Sequence, residues 1–378
     1  MSVFPTSSAT AVAALINLRR EFVNRPDQIL DATQAQSFLL ANLMGSGFQK
    51  TIPYGDTITD QLWLDNASNF GTYVPGSERT TSDPPAPTRA AIAPCYYENS
   101  RKWTDDDMRI AGAMSGDQKL SAFKRYRDWL LGGMRGDHIK GVEALLTATP
   151  NVNMEQTGVQ GAPMVSVPTV ISEEASGAIT GFTTLYGITI ANKTAWRPQR
   201  STYDSSNATS IDVGLPNSFH RMFLSTDWKP VPGGDSANFA DSSKNKKFIA
   251  TNADGHATFA KVLGSMNQFT RQGPQDFNYQ GPNYFGIPIV YVTAYDTALL
   301  DSQASTAYSQ AWPTGKPRYQ WIDTEYLYLL TAPDGYMQVS PAEKFGGARP
   351  DAQVVYQRTK GNLFTHARNR LGVIVPQT

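Results

Sequence analysis

The sequence lacks most features of an exported or membrane-bound protein. Its 378 residues include one cysteine, Cys95, so no disulfide can form within the chain, and a reducing compartment is expected. We predict that Cys95 is a buried, small apolar residue rather than a nucleophile. No basic segment followed by an apolar run and a cleavage site opens the chain, and no apolar run approaches the ~20 residues that span a bilayer. The sequence therefore predicts no signal peptide and no membrane contact.

Charged residues are also scarce. They make up 17% of the chain, below the usual quarter for a soluble domain. Lys plus Arg and Asp plus Glu number 33 each, so the formal net charge is zero. A neutral chain is not expected to gain its affinity from neutralising many phosphates, and it lacks the repulsion that keeps monomers apart. These two properties favour a protein whose surface is covered by copies of itself.

Motifs that mark catalysis or cofactor binding are missing. The sequence has no glycine-rich phosphate loop, no G-x-S-x-G and no H-E-x-x-H. Its four histidines are scattered, and each is predicted to be a surface or hydrogen-bonded residue: His138, His220, His256 and His366. We therefore predict no catalytic, metal-binding or cofactor-binding residue, and no enzymatic activity.

One pair of acidic residues supports an alternative function. Asp323 and Glu325 lie two apart on a predicted strand, so both carboxylates would face one side, as in some glycosidases. This pair keeps open a polysaccharide-active or carbohydrate-binding protein, although a polar patch on a half-exposed strand is favoured. Residues 252–256 (NADGH) resemble the start of a calcium loop, but apolar residues and threonine fill the next ligand positions.

The first hundred residues predict helices followed by a long hairpin. An apolar helical stripe contains Val12, Leu15, Ile16 and Phe22, and a second helix is predicted over 33–44. Strands are predicted over 57–65 and 90–98. The link between them is rich in Pro, Ser, Thr and Gly, and a link of this length is usually functional. We interpret residues 57–98 as a projecting hairpin.

The rest of the chain mixes helices and strands, so the fold class is α+β. A capping box at Ser115 and Gln118 predicts a long helix that reaches residue 149, with a kink or break at Gly132-Gly133. Short helices are predicted over 216–225 and 256–270. Further strands are predicted over 177–191, 284–292, 323–331, 335–340 and 352–365. Pro288 indicates an edge or a bulge.

This order of parts resembles the major capsid proteins of tailed bacteriophages, which have the Hong Kong 97-type fold. Three strings support the resemblance: residues 283–292 (NYFGIPIVYV), 315–330 (GKPRYQWIDTEYLYLL) and 361–374 (GNLFTHARNRLGVI). The resemblance implies an N-terminal arm (1–47), an extended loop (48–100), a peripheral domain (101–155 and 331–378) and an axial domain (156–330). It also implies that the basic C-terminal segment pairs with strands of its own peripheral domain.

The resemblance further implies a structural protein of the virion, assembled in the host cytoplasm. Copies of the chain would form hexamers and pentamers of an icosahedral shell around double-stranded DNA, which they would contact non-specifically. The other implied partners are a separate scaffolding protein, a portal and a possible decoration protein. A phage tail or baseplate component is a further alternative, distinguished by ring or tube assembly.

The charge pattern predicts how neighbouring subunits meet. Residues 51–100 carry six acidic and two basic residues, whereas 115–149 and 343–378 lean basic. An acidic loop over a basic platform is the kind of complementarity that fixes register. The predicted subunit-interface residues combine this pattern with the apolar arm: Val12, Leu15, Ile16, Phe22, Asp56, Asp60, Trp63, Asp65, Lys124, Arg127, Arg368 and Arg370.

Overall fold

The fold was analysed in a computed structural model of the chain. It describes residues 39–40, 43, 49–51, 58–62, 64, 86–104, 117–150, 154, 164–174, 177, 179, 183–190, 194–226, 247–265, 283–284, 287–296, 312, 315–332, 335–344 and 352–377.

Strands dominate the described residues. They are β1 (Gln49–Thr51), β2 (Ile58–Leu62), β3 (Thr88–Ile92), β4 (Cys95–Thr104), β5 (Thr184–Leu185), β6 (Ile188–Thr189), β7 (Gln199–Tyr203), β8 (Lys247–Thr251), β9 (Asn283–Tyr284), β10 (Ile287–Tyr291), β11 (Tyr319–Asp323), β12 (Leu327–Thr331), β13 (Gln338–Val339), β14 (Glu343–Lys344), β15 (Ala352–Thr365) and β16 (Gly372–Pro376). The α-helices are α1 (Asp117–Leu146), α2 (Val167–Val170), α3 (Leu215–Ser225) and α4 (Ala253–Ser265). Short 3-10 helices cover Thr194–Trp196, Ser205–Asn207, Thr293–Tyr295 and Arg368–Arg370.

The chain divides into two compact units. The first contains residues 1–36, 96–140 and 334–359, and the second contains 37–95, 141–333 and 360–378. In the first unit, the early part of β15 pairs antiparallel with β13 and β14. Trp103 of β4, Met134 of α1 and Val355 of β15 form a small buried cluster there. A helix packed on a short sheet therefore builds this unit.

The second unit is built around a mixed six-stranded sheet in the order β7-β16-β11-β8-β10-β9. Helices α3 and α4 supply apolar side chains to its core. The ring of Phe219 stacks on Phe259 at 4.8 Å and meets the edges of Tyr319 and Trp321 at 5.0 and 5.5 Å. Aromatic pairs of this geometry stabilise a core beyond the area they bury.

The last strand of the chain lies in the middle of this sheet. β16 runs parallel to β7, with Ile374 opposite Ser201, and antiparallel to β11, with Ile374 opposite Tyr319. The prediction that this segment is packed is confirmed, since Leu371, Val373 and Ile374 are fully buried. The prediction that it pairs with strands from 101–155 and 331–378 is wrong. Both of its partners, β11 and β7, come from 156–330. The continuous apolar run fits a strand that is covered on both faces, but it does not determine which strands pair with it.

Close packing of helix α3 on the sheet depends on Gly372. A Cβ atom at this position would lie 2.4 Å from the sulfur of Met222 and 3.1 Å from the carbonyl oxygen of Gln199. Glycine is the residue that lets a helix side chain approach the strand backbone this closely. The Gly-Val-Ile string at 372–374 is therefore explained by packing within one subunit.

A tight hairpin replaces the continuous strand predicted over 177–191. β5 and β6 pair through Leu185 and Ile188, which leaves a two-residue turn. Both turn residues have positive φ, 56° at Tyr186 and 77° at Gly187, as a type I′ turn requires. Tyr186 accepts this conformation although it is not glycine. Its ring is fully buried, and its hydroxyl donates a 3.0 Å hydrogen bond to the carbonyl of Leu363.

Helix α1 is continuous across Gly132-Gly133, so the predicted interruption is wrong. Gly132 is exposed and Gly133 is half-buried, and neither would bring a Cβ atom within 4 Å of a neighbour. Two glycines cost a helix about 1 kcal/mol each relative to alanine. The buried positions that follow, including Met134, Val142 and Leu146, hold the helix in place despite that cost.

Gly132→Ala is expected to stabilise the subunit. The new methyl group meets nothing, and alanine loses less backbone entropy on folding, so the free energy of unfolding should rise by about 0.5–1 kcal/mol. Urea unfolding followed by circular dichroism measures this change. Gly372→Ala is the matched control, because the same methyl group there collides with Met222 and should lower the stability. A loss of stability in Gly132→Ala would contradict the placement of Gly132 inside a continuous helix.

Most of the remaining strand and helix predictions are confirmed. β15 has the predicted bounds of 352–365, and α3 matches the predicted helix over 216–225 within one residue. α4 begins three residues earlier than predicted, since the Asn252 side chain accepts a 2.9 Å hydrogen bond from the Gly255 amide near the helix start. The NADGH string is thus the beginning of a helix. The predicted break near Pro288 corresponds to two separate strands, β9 and β10.

Candidate assembly site

The predicted hairpin is present within the second unit, where a backbone hydrogen bond joins it to the β5–β6 turn. β2 pairs antiparallel with β3 from Ile58 opposite Ile92 to Leu62 opposite Thr88. On the other side of β3, the Ala91 amide donates a 2.9 Å hydrogen bond to the Tyr186 carbonyl in the type I′ turn. The hairpin is therefore held at its base by the strained turn. Residues 65–85 lie outside the described residues.

Asn362 fixes the point where the hairpin strand returns. Its side-chain oxygen accepts from the amides of Val165 (3.1 Å) and Leu363 (2.8 Å). Its side-chain nitrogen donates to the Ala93 carbonyl at 2.8 Å and to the Cys95 sulfur at 3.4 Å. The residue is 1% exposed, so every polar group of the amide is used inside the subunit. Cys95 is buried, as predicted.

A cluster of cationic and aromatic side chains lies beside the first strand of the loop region. Lys50 of β1 places its Nζ 3.8 Å from the centre of the Tyr328 ring, and the Tyr328 hydroxyl lies 3.1 Å from Nδ1 of His366. Burial, with a smaller contribution from the Asp60 carboxylate, raises the pKa of Tyr328 to about 12. The cation–π contact adds to the backbone pairing of β1 with β12, in which Lys50 lies opposite Leu330. The hydrogen bond joins β12 to the segment that follows β15.

Arg368 has an internal role that the sequence interpretation missed. It is fully buried, and its guanidinium donates to three backbone carbonyls: Val170 (2.6 Å), Gly177 (3.0 Å) and Trp196 (3.5 Å). A planar fork of donors suits this task. A fully buried side chain cannot contact a neighbouring subunit, so the interface role predicted for Arg368 does not fit. Its guanidinium instead stabilises the interior of the subunit. A signal was available, since Arg368 is flanked by core residues on both sides.

Arg370 is half-buried, and its guanidinium lies 5.9 Å from the Tyr326 ring. Asp60 is half-exposed, and its Oδ1 accepts a 2.8 Å hydrogen bond from the Gln61 amide. The backbones of Lys124 and Arg127 lie in α1, and their side chains are outside the described part. The other predicted interface residues lie entirely outside the described part: Val12, Leu15, Ile16, Phe22, Asp56, Trp63 and Asp65.

One charge pair predicted to join neighbours is made inside the first unit. Nε of Arg358, assigned to the basic platform, lies 2.6 Å from Oε2 of Glu98, assigned to the acidic loop. Both side chains are about half exposed, and Arg358 also covers the Tyr356 ring at 4.9 Å. Exposed pairs of this kind contribute about 0–1 kcal/mol. Glu98 is therefore already paired before any neighbour arrives.

The acid pair of the carbohydrate alternative is not formed. Asp323 ends β11 and is 1% exposed, whereas Glu325 lies in the following turn and is exposed. Oδ1 of Asp323 accepts a 2.9 Å hydrogen bond from the Glu325 amide, and Oδ2 lies 3.9 Å from Nζ of Lys247. The predicted strand over 323–331 is broken by this turn, so the two carboxylates do not share a strand face. The prediction on which the carbohydrate alternative depended, two carboxylates on one face of a strand, is therefore wrong.

Within the parts of the chain that the structure describes, no group of three His, Cys, Asp or Glu residues is placed to hold a metal ion. No helix among the described residues has the length and apolar character needed to cross a membrane.

Two histidines form hydrogen bonds with other side chains, as predicted, His138 in a buried position and His366 in a half-buried one. Nε2 of His138 lies 2.7 Å from Oγ1 of Thr359, which also accepts from the Met337 amide at 3.1 Å. Burial lowers the pKa of His138 from the usual 6.5. Burial first, and then Lys50, lower the pKa of His366, while Asp60 and Glu325 oppose this shift. Burial therefore disfavours the charged form of both rings.

The subunit is expected to lose stability as the pH falls below about 6.5. The unfolded chain binds more protons there than the folded chain does, because the folded pKa values are lowered, and this linkage favours unfolding. Urea midpoints at pH 7.5 and 5.5 measure the effect. His138→Gln, which keeps a nitrogen near Thr359 but does not titrate, should reduce the difference. His220→Gln, at an exposed position, is the control. An equal difference in all three chains would contradict the assignment.

Comparison with known proteins places this arrangement in a fold class. No protein-family model matches the chain. No curated protein matches it either. Solved structures do match over nearly its full length, and the chain has the α+β fold of tailed-phage capsid proteins, the Hong Kong 97-type fold, as the sequence predicts.

Two solved structures illustrate the likeness. The chain from the cyanophage A-1(L) capsid asymmetric unit superposes with a TM-score of 0.57 and 12% sequence identity, over 93% of this chain and 98% of that one. The chain from the mature capsid of bacteriophage PhiM1 gives 0.50 and 9% identity, over 93% and 90%. The fold is thus shared although few residues are.

Proposed function

We propose that the chain is a major capsid protein. Copies of it self-assemble into the hexamers and pentamers of an icosahedral shell that encloses the double-stranded DNA of a tailed phage. The observation that carries this proposal is a structural likeness to two phage capsid proteins that extends over 93% of the chain. The chain acts as a structural component and has no enzymatic role.

Three further features support the proposal. The base of the β2–β3 hairpin is hydrogen-bonded to the rest of the subunit through the Ala91 amide and through the Ala93 carbonyl, which accepts from Asn362. The chain carries no net charge, which favours self-association. Its charged fraction of 17% is low, as expected for a surface that neighbours cover.

We also propose the division into domains that the capsid fold implies. Residues 1–47 form an arm, 48–100 the extended loop, 101–155 and 331–378 the peripheral domain, and 156–330 the axial domain. β16 is an exception, because it pairs with strands of 156–330. The arm residues Val12, Leu15, Ile16 and Phe22, together with Asp56, Trp63 and Asp65 of the loop, are proposed to contact neighbouring subunits.

The proposed partners follow from the proposed shell. They are further copies of the chain, a separate scaffolding protein, a portal, a possible decoration protein and packaged DNA. Contact with DNA is proposed to be non-specific, and it is weak because a chain with zero net charge gains little from releasing counterions. Assembly takes place in the host cytoplasm without a membrane, and the product is the virion capsid.

Reversal of the loop charge is expected to impair assembly more than folding. In Asp60→Lys with Asp65→Lys, the exposed pairs that are lost are worth about 0–1 kcal/mol each, so the subunit should stay folded. The new lysines would lie opposite the basic platform of a neighbouring subunit and repel it. This repulsion costs more free energy than the loss of an attraction does, and the cost recurs at every such contact in the shell. Particle yield by sucrose-gradient sedimentation should fall, with partial rescue by salt.

The matched control is Asp60→Asn with Asp65→Asn, which removes the attraction without adding repulsion. Its particle yield should lie between those of the wild type and the lysine variant. If the lysine variant gives wild-type amounts of sturdy particles at low salt, the charge pattern is incidental to assembly.

A further inference from the structure

The hydrogen bond between His138 and Thr359 continues into a turn with unusual backbone geometry. Oγ1 of Thr359 lies 2.7 Å from Nε2 of His138 and accepts a 3.1 Å hydrogen bond from the Met337 amide. Met337 has a φ of 50°, in the left-handed region that residues other than glycine rarely adopt. Three segments of the first unit therefore meet at one hydroxyl group: helix α1, strand β15 and the turn before β13.

The partners of Thr359 determine where the hydrogen atoms lie. A hydroxyl group has one hydrogen to donate and two lone pairs that accept. One lone pair faces the Met337 amide, and Nε2 of His138 is the acceptor that the described residues place within reach of the hydrogen. His138 is 5% exposed and Thr359 is 1% exposed, so this donor needs an acceptor inside the protein. Nε2 is therefore unprotonated, and the Thr359 hydroxyl donates to it.

A proton on Nε2 of His138 is incompatible with this arrangement. The ring and the hydroxyl would each point a hydrogen at the other, so the Thr359 hydroxyl has to rotate. Its hydrogen then points either toward the N–H of Met337 or into an interior in which the described residues offer no further acceptor. The first orientation breaks the hydrogen bond from Met337, and the second buries an unpaired donor, so both cost free energy.

Strand β13 has few contacts that hold it. Two residues, Gln338 and Val339, pair with β15, and both are exposed, Val339 to 52%. At its far end the Ser340 amide donates to the Tyr356 carbonyl at 2.8 Å, and Oγ of Ser340 accepts from the Tyr356 amide at 3.1 Å. A strand that buries little apolar surface opens at a low cost in free energy. The hydrogen bond from the preceding turn to Thr359 is therefore important for keeping β13 closed.

Neighbouring charges do not control the proton of His138. The charged and titratable residues on the elements around it are Tyr97 and Arg101 on β4, Arg135, Asp137 and Lys140 on α1, Tyr336 before β13, and Arg358 and Lys360 on β15. Asp137 pairs with Arg101, and Arg358 pairs with Glu98 on the opposite face of the sheet. Burial is what lowers the pKa of His138, so removal from water disfavours the protonated ring.

We propose that His138, Thr359 and Met337 form a proton-sensitive latch that closes β13 onto β15. In the closed form the Thr359 hydroxyl donates to the neutral ring, and the turn keeps its left-handed residue. When the latch opens, Met337 relaxes, β13 separates from β15 and water reaches the ring, which then takes up a proton. Acid favours the open form, because that form binds the proton more tightly. The latch does not depend on a capsid role for the chain.

Hydrogen exchange at two pH values tests the latch. Protection factors of peptides that cover 336–341 are measured by mass spectrometry on the full-length chain at pH 7.5 and 5.5, with the intrinsic exchange rate at each pH divided out. The usual pKa of 6.5 in the open form and the lowered pKa in the closed form predict a loss of protection of up to about tenfold. Peptides from β11, which is buried in the second unit, should keep their protection.

Four variants distinguish a latch from an ordinary structural contact. His138→Gln does not titrate, so its protection at 336–341 should change by less than about twofold between the two pH values. His220→Gln, at an exposed position, should behave as the wild type does. Thr359→Val removes the acceptor of the Met337 amide and should lower protection at pH 7.5 by about tenfold. Thr359→Ser keeps the hydroxyl and should keep both the protection and its pH dependence.

Two results would overturn the latch. One is equal protection of residues 336–341 at both pH values in the wild type. The other is an undiminished loss in His138→Gln, because another group must then sense the proton. If His138→Gln does not fold, the two Thr359 variants decide the matter at pH 7.5. Loss of protection in Thr359→Val alone supports the latch, whereas equal protection in Thr359→Val and Thr359→Ser shows that the hydroxyl does not hold the turn.

Discussion

Arg368→Met is expected to give the largest loss of stability among single substitutions in the second unit. Methionine fills a similar volume but donates no hydrogen bond, so three buried carbonyls, those of Val170, Gly177 and Trp196, lose a donor. Each orphaned buried group costs about 1–3 kcal/mol, so a loss on the order of 3 kcal/mol or more is expected. Urea unfolding of the isolated subunit measures it.

Two control variants test whether the loss of stability comes from the hydrogen bonds of Arg368. Arg370→Met removes a neighbouring, half-buried arginine whose guanidinium lies over Tyr326, and it should cost less than about 1 kcal/mol. Arg368→Lys keeps the charge but not the planar fork, so it should recover only part of the loss. If Arg368→Met and Arg370→Met differ by less than about 1 kcal/mol, the internal role of Arg368 is wrong.

Asn362→Leu is expected to cause the second-largest loss of stability, together with a local change in hydrogen exchange. The amides of Val165 and Leu363 and the carbonyl of Ala93 lose their side-chain partner in a site that is 1% exposed. The expected loss is about 2–5 kcal/mol. Since Ala93 lies between β3 and β4, the amides of the β2–β3 hairpin should also exchange hydrogen faster than in the wild type.

Asn99→Leu is the control for this prediction. Asn99 is also buried, but its side chain donates to a single carbonyl, that of Met134 at 3.1 Å in the first unit. Its loss should be about 1 kcal/mol, and the exchange of the β2–β3 hairpin should not change. Equal hairpin exchange in Asn362→Leu and in the wild type would show that Asn362 does not anchor the hairpin.

The sequence predicts the elements that depend on local pattern. The apolar strand at 352–365 and the helix at 216–225 are correctly placed, because side-chain period and propensity are readable within one segment. The β2–β3 hairpin is also correct, since its strands flank a segment rich in turn residues. The fold class follows from the order of such segments.

The errors concern properties that depend on partners distant in sequence. The predicted partners of β16 are wrong because its apolar pattern indicates that the strand is buried, but it does not indicate which strands pair with it. Asp323 and Glu325 fall on either side of a turn that their spacing alone does not reveal. Arg368 was predicted at the surface from its charge, whereas the carbonyls that accept its protons lie about 170 to 200 residues away.

The interface residues are the least predictable part of the site. Glu98 and Arg358 have the opposite charges expected of neighbouring subunits, yet they pair within one chain. A charge count cannot distinguish contacts within a subunit from contacts between subunits, because both obey the same complementarity.

Cryo-electron microscopy of the chain, expressed alone and together with candidate scaffolding proteins, tests the central claim most directly. The account predicts closed shells with icosahedral symmetry that are built from rings of five and six copies of the chain. Monomers or small open oligomers in every expression, at concentrations where the folded subunit is abundant, would contradict a capsid role for this chain.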